Sequence, residues 1–280
     1  MELQDWDVTC RGLKLSGLTN TAIGDEVCLA FHGWLDNSAS FVGLMEEGLN
    51  LFALDLAGHG RSDHRVGASY FILEWVLDAV HVMRELEARG AQRFHLIGHS
   101  LGAGIAALVA ACAPDIQVDS LVLIEGLGPL STAAEDAPDT LRRALSSQTK
   151  PPRKYPSVDP MVKAVQTTRP GISEADARRL VDRVVAGSDE YWFAHDEALK
   201  DTSLLRLTEY HVLAFLNQIK CPTLLIKAED GLAFPEELSK PRILSIENLQ
   251  IETLPGKHHV HLEDAEAVAA LIRSFQSRVA

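Results

Sequence analysis

The sequence predicts an α/β fold in which a mostly parallel central sheet carries helices on both faces. Three observations predict it: short aliphatic runs that are apolar on consecutive residues, amphipathic helical segments between these runs, and runs that end in glycine-bearing turns. Strands that are covered on both faces lose the polar alternation of a half-exposed strand. The alternation of such strands with helices therefore favours parallel, doubly wound βαβ units.

The predicted strands are six short aliphatic runs. They cover residues 27–31, 51–54, 94–97, 121–124, 224–226 and 249–254. One amphipathic helix carries apolar residues from Leu73 to Leu86 on one face and ends at Gly90. A second helix carries them from Val268 to Phe275, near the C-terminus.

The alternation stops between about Pro129 and Thr208. This part begins rich in proline and charge ("KPPRKYPSVDP"), continues with a helical pattern ("SEADARRLVDRVV") and contains no convincing strand. We therefore expect a core domain made of residues 1–128 and 209–280, with residues 129–208 inserted as a helical cap. Insertions at the carboxyl edge of such a sheet often cover an active site.

Composition excludes several classes of function. The chain has 280 residues and a net charge of −13, with no concentrated basic patch, so the phosphates of a nucleic acid would be repelled. No apolar run has the length of a membrane span, and the N-terminus lacks a secretory pattern, so we expect a cytoplasmic protein. The four cysteines are far apart and form no C-x-x-C pair, which indicates neither a zinc site nor a disulfide framework.

The stretch "LIGHSLGAG" places Ser100 between Gly98 and Gly102, where an apolar strand turns into an alanine-rich helix. This context fits a nucleophile elbow, in which a serine in a strained backbone conformation needs small neighbours. The backbone N–H of Leu101 lies at the helix N-terminus, where negative charge is favoured. The alternative, a serine that caps the helix, explains Ser100 but not both glycines.

A second strand ends in "FHGW", with His32 and Gly33 before Trp34. A strand that turns sharply at a His-Gly pair aims the next N–H into the same pocket, so we expect the N–H groups of Trp34 and Leu101 to form an oxyanion hole. A third strand ends in "LDLAGHGRSD", where Asp55, His59 and Arg61 are interpreted as polar residues that organise the loop.

Together these segments resemble the α/β-hydrolase superfamily over nearly the whole chain. The segments "FHGWLDNSASF", "DLAGHGRS", "GHSLGAG", "LVLIEGLGP" and "HHVHLED" look like those of the serine hydrolase-like (kraken-type) subgroup of small capped hydrolases. The resemblance implies the α/β-hydrolase fold with a cap, a serine nucleophile, and a catalytic histidine that comes last in the chain.

Three histidines follow the last predicted strand in "LPGKHHVHLED". The family pattern, a glycine-histidine pair five residues before the glutamate of "HLE", places the base at His258, with Lys257 where the glycine usually lies. His259 is the fallback. His261 is expected to pack within the following helix.

The acid of the triad has two candidates. The resemblance implies an aspartate after the penultimate strand, but aligning "LLIKAEDGLAFP" puts Gly231 at that position and Asp230 one residue early. Glu125 ends the preceding strand, the position from which certain haloalkane dehalogenases take their acid. A carboxylate buried there is costly unless it is paired. We therefore predict Glu125, with Asp230 in reserve.

These residues predict hydrolysis of a small or medium hydrophobic carboxylic ester through an acyl-enzyme, without a metal or a cofactor. His32, Trp34, Trp192 and Phe193 are the expected substrate contacts. A thioesterase, a lactonase or a C–C bond hydrolase would use the same triad, and a ligand-binding protein with low turnover would keep the same fold. The oligomeric state is not predicted.

Overall fold

The computed structural model describes residues 2–67 and 69–279, and its centre is an eight-stranded sheet. Two further strands form a separate ribbon. The strands are β1 (Gln4–Cys10), β2 (Leu13–Thr19), β3 (Glu26–Phe31), β4 (Phe52–Leu54), β5 (Arg93–His99), β6 (Val118–Ile124), β7 (Val185–Ala186), β8 (Trp192–Phe193), β9 (Thr223–Asp230) and β10 (Leu249–Lys257).

The order of strands across the main sheet is β1, β2, β4, β3, β5, β6, β9 and β10. All pairs from β4 to β10 are parallel, whereas β1 and β2 pair with their neighbours in the antiparallel sense. The predicted mostly parallel sheet is confirmed, and each predicted run lies within a strand or overlaps one. The hairpin of β1 and β2 is an addition that the sequence analysis missed, because the polar and charged residues of "QDWDVTC" interrupt any apolar run.

Helices lie on both faces of this sheet. They are α1 (Val42–Glu46), α2 (Ile72–Ala88), α3 (Leu101–Cys112), α4 (Ala137–Ser146), α5 (Asp159–Thr168), α6 (Glu174–Asp182), α7 (Glu209–Leu216), α8 (Glu236–Ser245), α9 (Val260–Glu263) and α10 (Ala265–Val279). No helix in the described ranges combines the length and the apolar character needed to cross a membrane.

The side chains of the central strands alternate between two hydrophobic cores. In β6, for example, Leu121 and Leu123 pack with residues of α2 and α3, while Val122 and Ile124 pack with residues of α1 and α10. Because successive residues of a strand point to opposite faces, a run of consecutive apolar residues packs into both cores. The core strands are therefore buried along most of their length.

Residues 129–208 add no strand to the main sheet and carry α4, α5 and α6. The prediction that this segment contains no strand is wrong in detail, because β7 and β8 pair as a two-residue antiparallel ribbon. A strand of two residues is too short to show an alternating pattern in the sequence. We retain as a proposal the division into a core of residues 1–128 and 209–280 and a cap of residues 129–208.

Two buried arginines connect this segment to the sheet. Arg242, which is completely buried, donates hydrogen bonds of 2.8 Å to the carbonyl oxygens of Leu127 and Pro129 and forms an ion pair with Glu209. It thereby holds both ends of the insertion. Arg183, just after α6, forms an ion pair of 2.8 Å with the buried carboxylate of Asp55.

Candidate active site

Ser100 stands between β5 and α3 with a backbone conformation of φ 53° and ψ −112°. Residues other than glycine rarely adopt a positive φ, so the backbone of this serine is strained. A Cβ atom at Gly98 would lie 2.3 Å from the carbonyl oxygen of Gly102, and one at Gly102 would lie 2.0 Å from that of Phe31. Side chains at these two positions would therefore clash with the neighbouring helix and strand, which explains why the elbow needs small neighbours.

The backbone pairing of the sheet continues one residue beyond the ends of β5 and β6. The N–H of Ser100 donates to the carbonyl of Ile124, and the N–H of Glu125 donates to that of Ile226. Ser100 and Glu125 are therefore held at neighbouring positions on the carboxyl edge of the sheet. Edges of this kind are where ligands bind in open α/β sheets.

His258 lies between these two residues. Its Nε2 atom is 3.0 Å from the hydroxyl oxygen of Ser100, and its Nδ1 atom is 3.2 Å from a carboxylate oxygen of Glu125. An ionised carboxylate only accepts hydrogen bonds, so Nδ1 carries the proton and Nε2 offers its lone pair to the serine. We call Ser100, His258 and Glu125 the hydrogen-bonded triad.

Backbone groups of β9 and the turn after it also hold the carboxylate of Glu125. It accepts hydrogen bonds from the N–H groups of Ala228, at 2.7 Å, and Leu232, at 2.6 Å. Burial raises the pKa of this carboxyl group, but the hydrogen bonds from His258 and the two N–H groups outweigh burial and hold the pKa below its ordinary value. Glu125 is thus kept ionised beside the imidazole.

Asp230, the reserve acid, lies exposed at the end of β9 and makes no hydrogen bond to His258 within the described residues. The structure therefore does not bring Asp230 to the triad. A Cβ atom at the next position, Gly231, would lie 2.3 Å and 2.4 Å from the two carboxylate oxygens of Glu125. The carboxylate of Glu125 thus fills the space into which a side chain at position 231 would project.

The loop after β3 also passes close to Ser100. A Cβ atom at Gly33 would lie 3.5 Å from the Cβ atom of Ser100, so the main chain before Trp34 passes close to the serine. The N–H groups of Trp34 and Leu101 have no acceptor in the part of the chain that the structure describes. The indole of Trp34 is half exposed and donates a 2.9 Å hydrogen bond to the carbonyl oxygen of Leu199 in the cap.

Of the two histidines that follow His258, His261 is buried and His259 is half-buried. Burial, the largest cause, lowers the pKa of His259 to about 4 and that of His261 to about 3. The Nε2 atom of His261 is hydrogen-bonded at 2.7 Å to the hydroxyl of Ser40, so its ring packs against the loop after β3. Within the described residues, the ring of neither histidine is hydrogen-bonded to Ser100.

The expectation that His32 contacts the substrate needs correction. Its ring is completely buried, and Nε2 accepts a hydrogen bond from the N–H of Leu56 while Nδ1 donates to the carbonyl of Gly33. Both ring nitrogens are used by the backbone, which leaves none for a substrate. His32 instead connects the loops that follow β3 and β4.

Trp192 and Phe193, the other expected contacts, point to different surroundings. Phe193 lines a cavity of about 310 Å³ between the insertion of residues 129–208 and the loop that follows β3, together with Leu35 and Asp36 of that loop. Trp192 does not line this cavity. Its ring covers Gly187, and the ammonium of Lys154 lies 3.3 Å from the ring centroid.

The N–H donors of Ala228 and Leu232 are functional groups that the sequence analysis missed. Every residue except proline carries a backbone N–H, so no sequence signal marks these two. The same holds for the carbonyl of Leu199, which fixes the indole of Trp34.

The chain is similar to known proteins in sequence and in fold. A family model described as "Alpha/beta hydrolase family" matches residues 27–271. The chain is 32% identical over 268 residues to a "probable serine hydrolase" of Drosophila melanogaster, a match that covers 88% of this chain and 80% of the relative. It is 30% identical over 268 residues to a serine hydrolase-like protein of Dictyostelium discoideum, covering 88% and 74% of the two chains.

Among solved structures, the hypothetical protein PA1622 from Pseudomonas aeruginosa PAO1 superimposes with a TM-score of 0.88 at 34% sequence identity. The match covers 98% of this chain and 99% of the other. The whole fold described above, including the insertion, is therefore shared with a natural protein of nearly the same length.

Proposed function

Because this chain belongs to the alpha/beta hydrolase family, we propose that it is a serine hydrolase that cleaves a small or medium hydrophobic carboxylic ester. The observation that carries the proposal is the hydrogen-bonded triad, in which His258 contacts both Ser100 and Glu125. This order of nucleophile, base and acid is what activates a serine that is otherwise a poor nucleophile.

In the first half of the reaction, Nε2 of His258 takes the hydroxyl proton as Ser100 attacks the ester carbonyl. The N–H groups of Trp34 and Leu101 are the proposed donors to the negative oxygen of the tetrahedral intermediate. When the intermediate collapses, the C–O bond to the alcohol breaks and His258 returns its proton to the leaving oxygen. Glu125 stabilises the imidazolium while it exists.

In the second half, water attacks the acyl group on Ser100 along the same route. His258 takes a proton from the water, the oxyanion forms at the same two N–H groups, and the carboxylic acid leaves as Ser100 regains its proton. The residues of this chain supply the nucleophile, the base, the acid and the oxyanion donors. We therefore propose that the hydrolysis proceeds without a cofactor.

The cavity beneath the cap supports the proposed substrate class. Its volume of about 310 Å³ is at the small end of the range for ligand pockets, and its lining combines apolar side chains such as Tyr155, Val165 and Phe193 with charged ones such as Arg169 and Lys200. We propose that the acyl group, or the alcohol group, of the ester enters this space. A short or branched hydrocarbon chain would fit it better than a long one.

Hydrolysis of p-nitrophenyl esters of increasing acyl length tests the proposal, with Ser100→Ala as the matched variant. We expect the wild-type protein to hydrolyse short or medium esters with a burst, and Ser100→Ala to lose about 10³-fold or more of kcat. Equal activity of both proteins would contradict the proposal.

A fluorophosphonate probe separates the remaining outcomes when no ester is turned over. Labelling of wild type but not of Ser100→Ala would support an activated serine that acts on another acyl substrate, such as a thioester or a lactone. No labelling of either protein would overturn the hydrolase proposal in favour of a ligand-binding protein.

A further inference from the structure

Beside the triad, three polar side chains that the proposed hydrolysis does not use come together. They are Asp36 on the loop after β3, His99 at the end of β5, and His259 directly after His258. Each offers one ligand atom, and these three atoms lie within 4.8 Å of one another. Two imidazoles and one carboxylate from three separate segments of the chain thus converge beside the triad.

Burial leaves polar atoms of this cluster without partners. Asp36 is 4% exposed and His99 is 1% exposed. Neither carboxylate oxygen of Asp36, nor Nδ1 of His99, forms a hydrogen bond with any residue that the structure describes. Most buried polar atoms in folded proteins are hydrogen-bonded, so three such atoms in one cluster indicate that a ligand completes it.

The protonation state of His99 suits it to bind a metal. Its Nε2 atom is 2.8 Å from the carbonyl oxygen of His258, and a carbonyl only accepts, so Nε2 carries the proton and Nδ1 carries the lone pair. A histidine that ligates a metal commonly donates its other N–H to a backbone carbonyl in this way, which fixes the tautomer and the orientation of the ring.

Arg169 is the positive group that a bound cation would meet. Its guanidinium lies 3.9 Å from Asp36 and is held by a 2.8 Å hydrogen bond to the carbonyl oxygen of Leu35. At 3.9 Å the contact is electrostatic and not a hydrogen bond, so the carboxylate stays free to coordinate. Arg169 lowers the affinity of this cluster for a cation but does not occupy it.

We propose that Asp36, His99 and His259 bind a divalent transition-metal ion such as Zn²⁺, and that the bound ion slows hydrolysis. Two imidazole nitrogens and one carboxylate oxygen suit Zn²⁺, Co²⁺ or Ni²⁺ better than Mg²⁺ or Ca²⁺, which prefer oxygen ligands. The cysteine pattern predicts no zinc site and Ser100 needs no metal for its chemistry, so this site is an addition to the hydrolytic one.

Closure of the site requires a small movement. Bonds of about 2.0–2.1 Å in a tetrahedral zinc site place neighbouring donors roughly 3.4 Å apart, which is closer than the 4.8 Å limit of this cluster. His259 is the least buried of the three and is the side chain that we expect to move. The cavity beneath the cap, which Asp36 lines, provides the route of entry.

The effect on hydrolysis follows from where the ligands lie in the chain and therefore rests on the proposed function. His99 directly precedes Ser100, and His259 directly follows His258. Movement of His259 toward a metal shifts His258, whose carbonyl also holds His99. A displacement of about 1 Å between catalytic groups is enough to cost roughly 100-fold in rate.

Zn²⁺ binding is measured first, on the tag-free protein, by competition with a chromophoric chelator, and visible absorption of bound Co²⁺ reports on coordination. We expect one ion per wild-type chain. Asp36→Asn and His259→Asn should each weaken binding about tenfold or more, and Arg169→Gln should tighten it several-fold because a competing charge is gone. Melting curves verify that each variant is folded.

Two control variants test where the ion binds. Glu125→Gln and His81→Asn, a change at a partly exposed histidine of α2, should bind Zn²⁺ as the wild type does. Unchanged affinity of Asp36→Asn or of His259→Asn would overturn the proposal. Loss of binding in Glu125→Gln would overturn the proposal, because the ion would then bind at the triad. Loss of binding in His81→Asn would also overturn it, because the ion would then bind at the surface of α2.

Hydrolysis in the presence of Zn²⁺ tests the second half of the proposal. Half-inhibition of the wild type should occur at the Zn²⁺ concentration that half-fills the site, and at about tenfold or higher concentration in His259→Asn. Binding without inhibition would overturn the inhibitory role. A protein that binds Zn²⁺ as expected but hydrolyses no ester would overturn the proposed function and leave the metal site standing.

Discussion

The hydrogen-bonded triad and the cavity that Phe193 lines are built differently. In the triad, strand ends of the sheet position Ser100 and Glu125, and protein groups satisfy the carboxylate, the imidazole and the hydroxyl. In the cavity, loops and short elements supply the lining, and Nε2 of His195 and Nε of Arg169 have no hydrogen-bond partner among the described residues. We therefore propose that the sheet fixes the reaction chemistry and that the insertion sets the choice of substrate.

The largest effect is expected at the acid of the triad. Glu125→Gln keeps the size of the side chain but removes the charge that stabilises the imidazolium, so kcat should fall by about 10³–10⁴-fold. Asp230→Asn is the matched change at the exposed end of β9 and should alter kcat by less than about twofold. Steady-state ester hydrolysis by both variants measures the difference. Full activity of Glu125→Gln together with inactivity of Asp230→Asn would show that the acid has been assigned wrongly.

A double variant sharpens this result, because position 231 points at the carboxylate of Glu125. Glu125→Gly should be nearly inactive, and adding Gly231→Asp should restore kcat by roughly 10- to 100-fold, since the new carboxylate enters the same space. Gly231→Asp alone should impair the protein, because the two carboxylates would collide. If the kcat of the double variant is no higher than that of Glu125→Gly, then a carboxylate at position 231 cannot replace that of Glu125.

The same contrast explains which parts of the molecule the sequence could predict. Ser100, Glu125 and His258 each directly follow a strand. The sequence pointed to them through the elbow between two glycines, the apolar run before the glutamate, and the family pattern before "HLE", all of which are local signals. The structure adds why Gly231 is a glycine, since the sequence showed a missing aspartate but not that a carboxylate from β6 fills its place.

The role of His32 and the lining of the cavity depend on contacts between distant segments, and local patterns do not encode them. A histidine at the end of a strand has the same sequence signal whether its nitrogens face a substrate or, as in His32, two backbone groups. Trp192 and Phe193 are the two residues of β8, and the pairing of β8 with β7 decides which ring faces the cavity. A strand of two residues leaves no alternating pattern in the sequence, so the sequence analysis expected both residues to contact the substrate.

The next largest effect, a tenfold rise in KM, is expected for a substitution in the lining of the cavity. Phe193 lines it and lies edge-on to Tyr155 at a ring distance of 5.8 Å, whereas Trp192 does not line it. Phe193→Ala should raise KM for the preferred ester about tenfold and move the optimum toward longer acyl chains, with kcat little changed. Trp192→Ala is the adjacent control and should leave KM within about twofold. Equal changes in both variants would mean that the cavity does not receive the substrate.

The smallest effect is a pH dependence of stability that arises from His195, which lines the same cavity. Burial, followed by the charge of Lys200, lowers the pKa of this imidazole to about 4. The unfolded chain, with an ordinary histidine pKa of about 6.5, then binds more protons than the folded one, so folding is favoured above that pH and weakened as the pH falls toward 4.

Between about pH 7 and about pH 5.5, the free energy of unfolding of the wild type should fall by about 1 kcal/mol more than that of His195→Gln. Urea unfolding of both proteins at the two pH values measures this difference. The other buried histidines are present in both proteins, so their contributions cancel. Parallel pH profiles would mean that water reaches the imidazole and that the cavity is open to solvent.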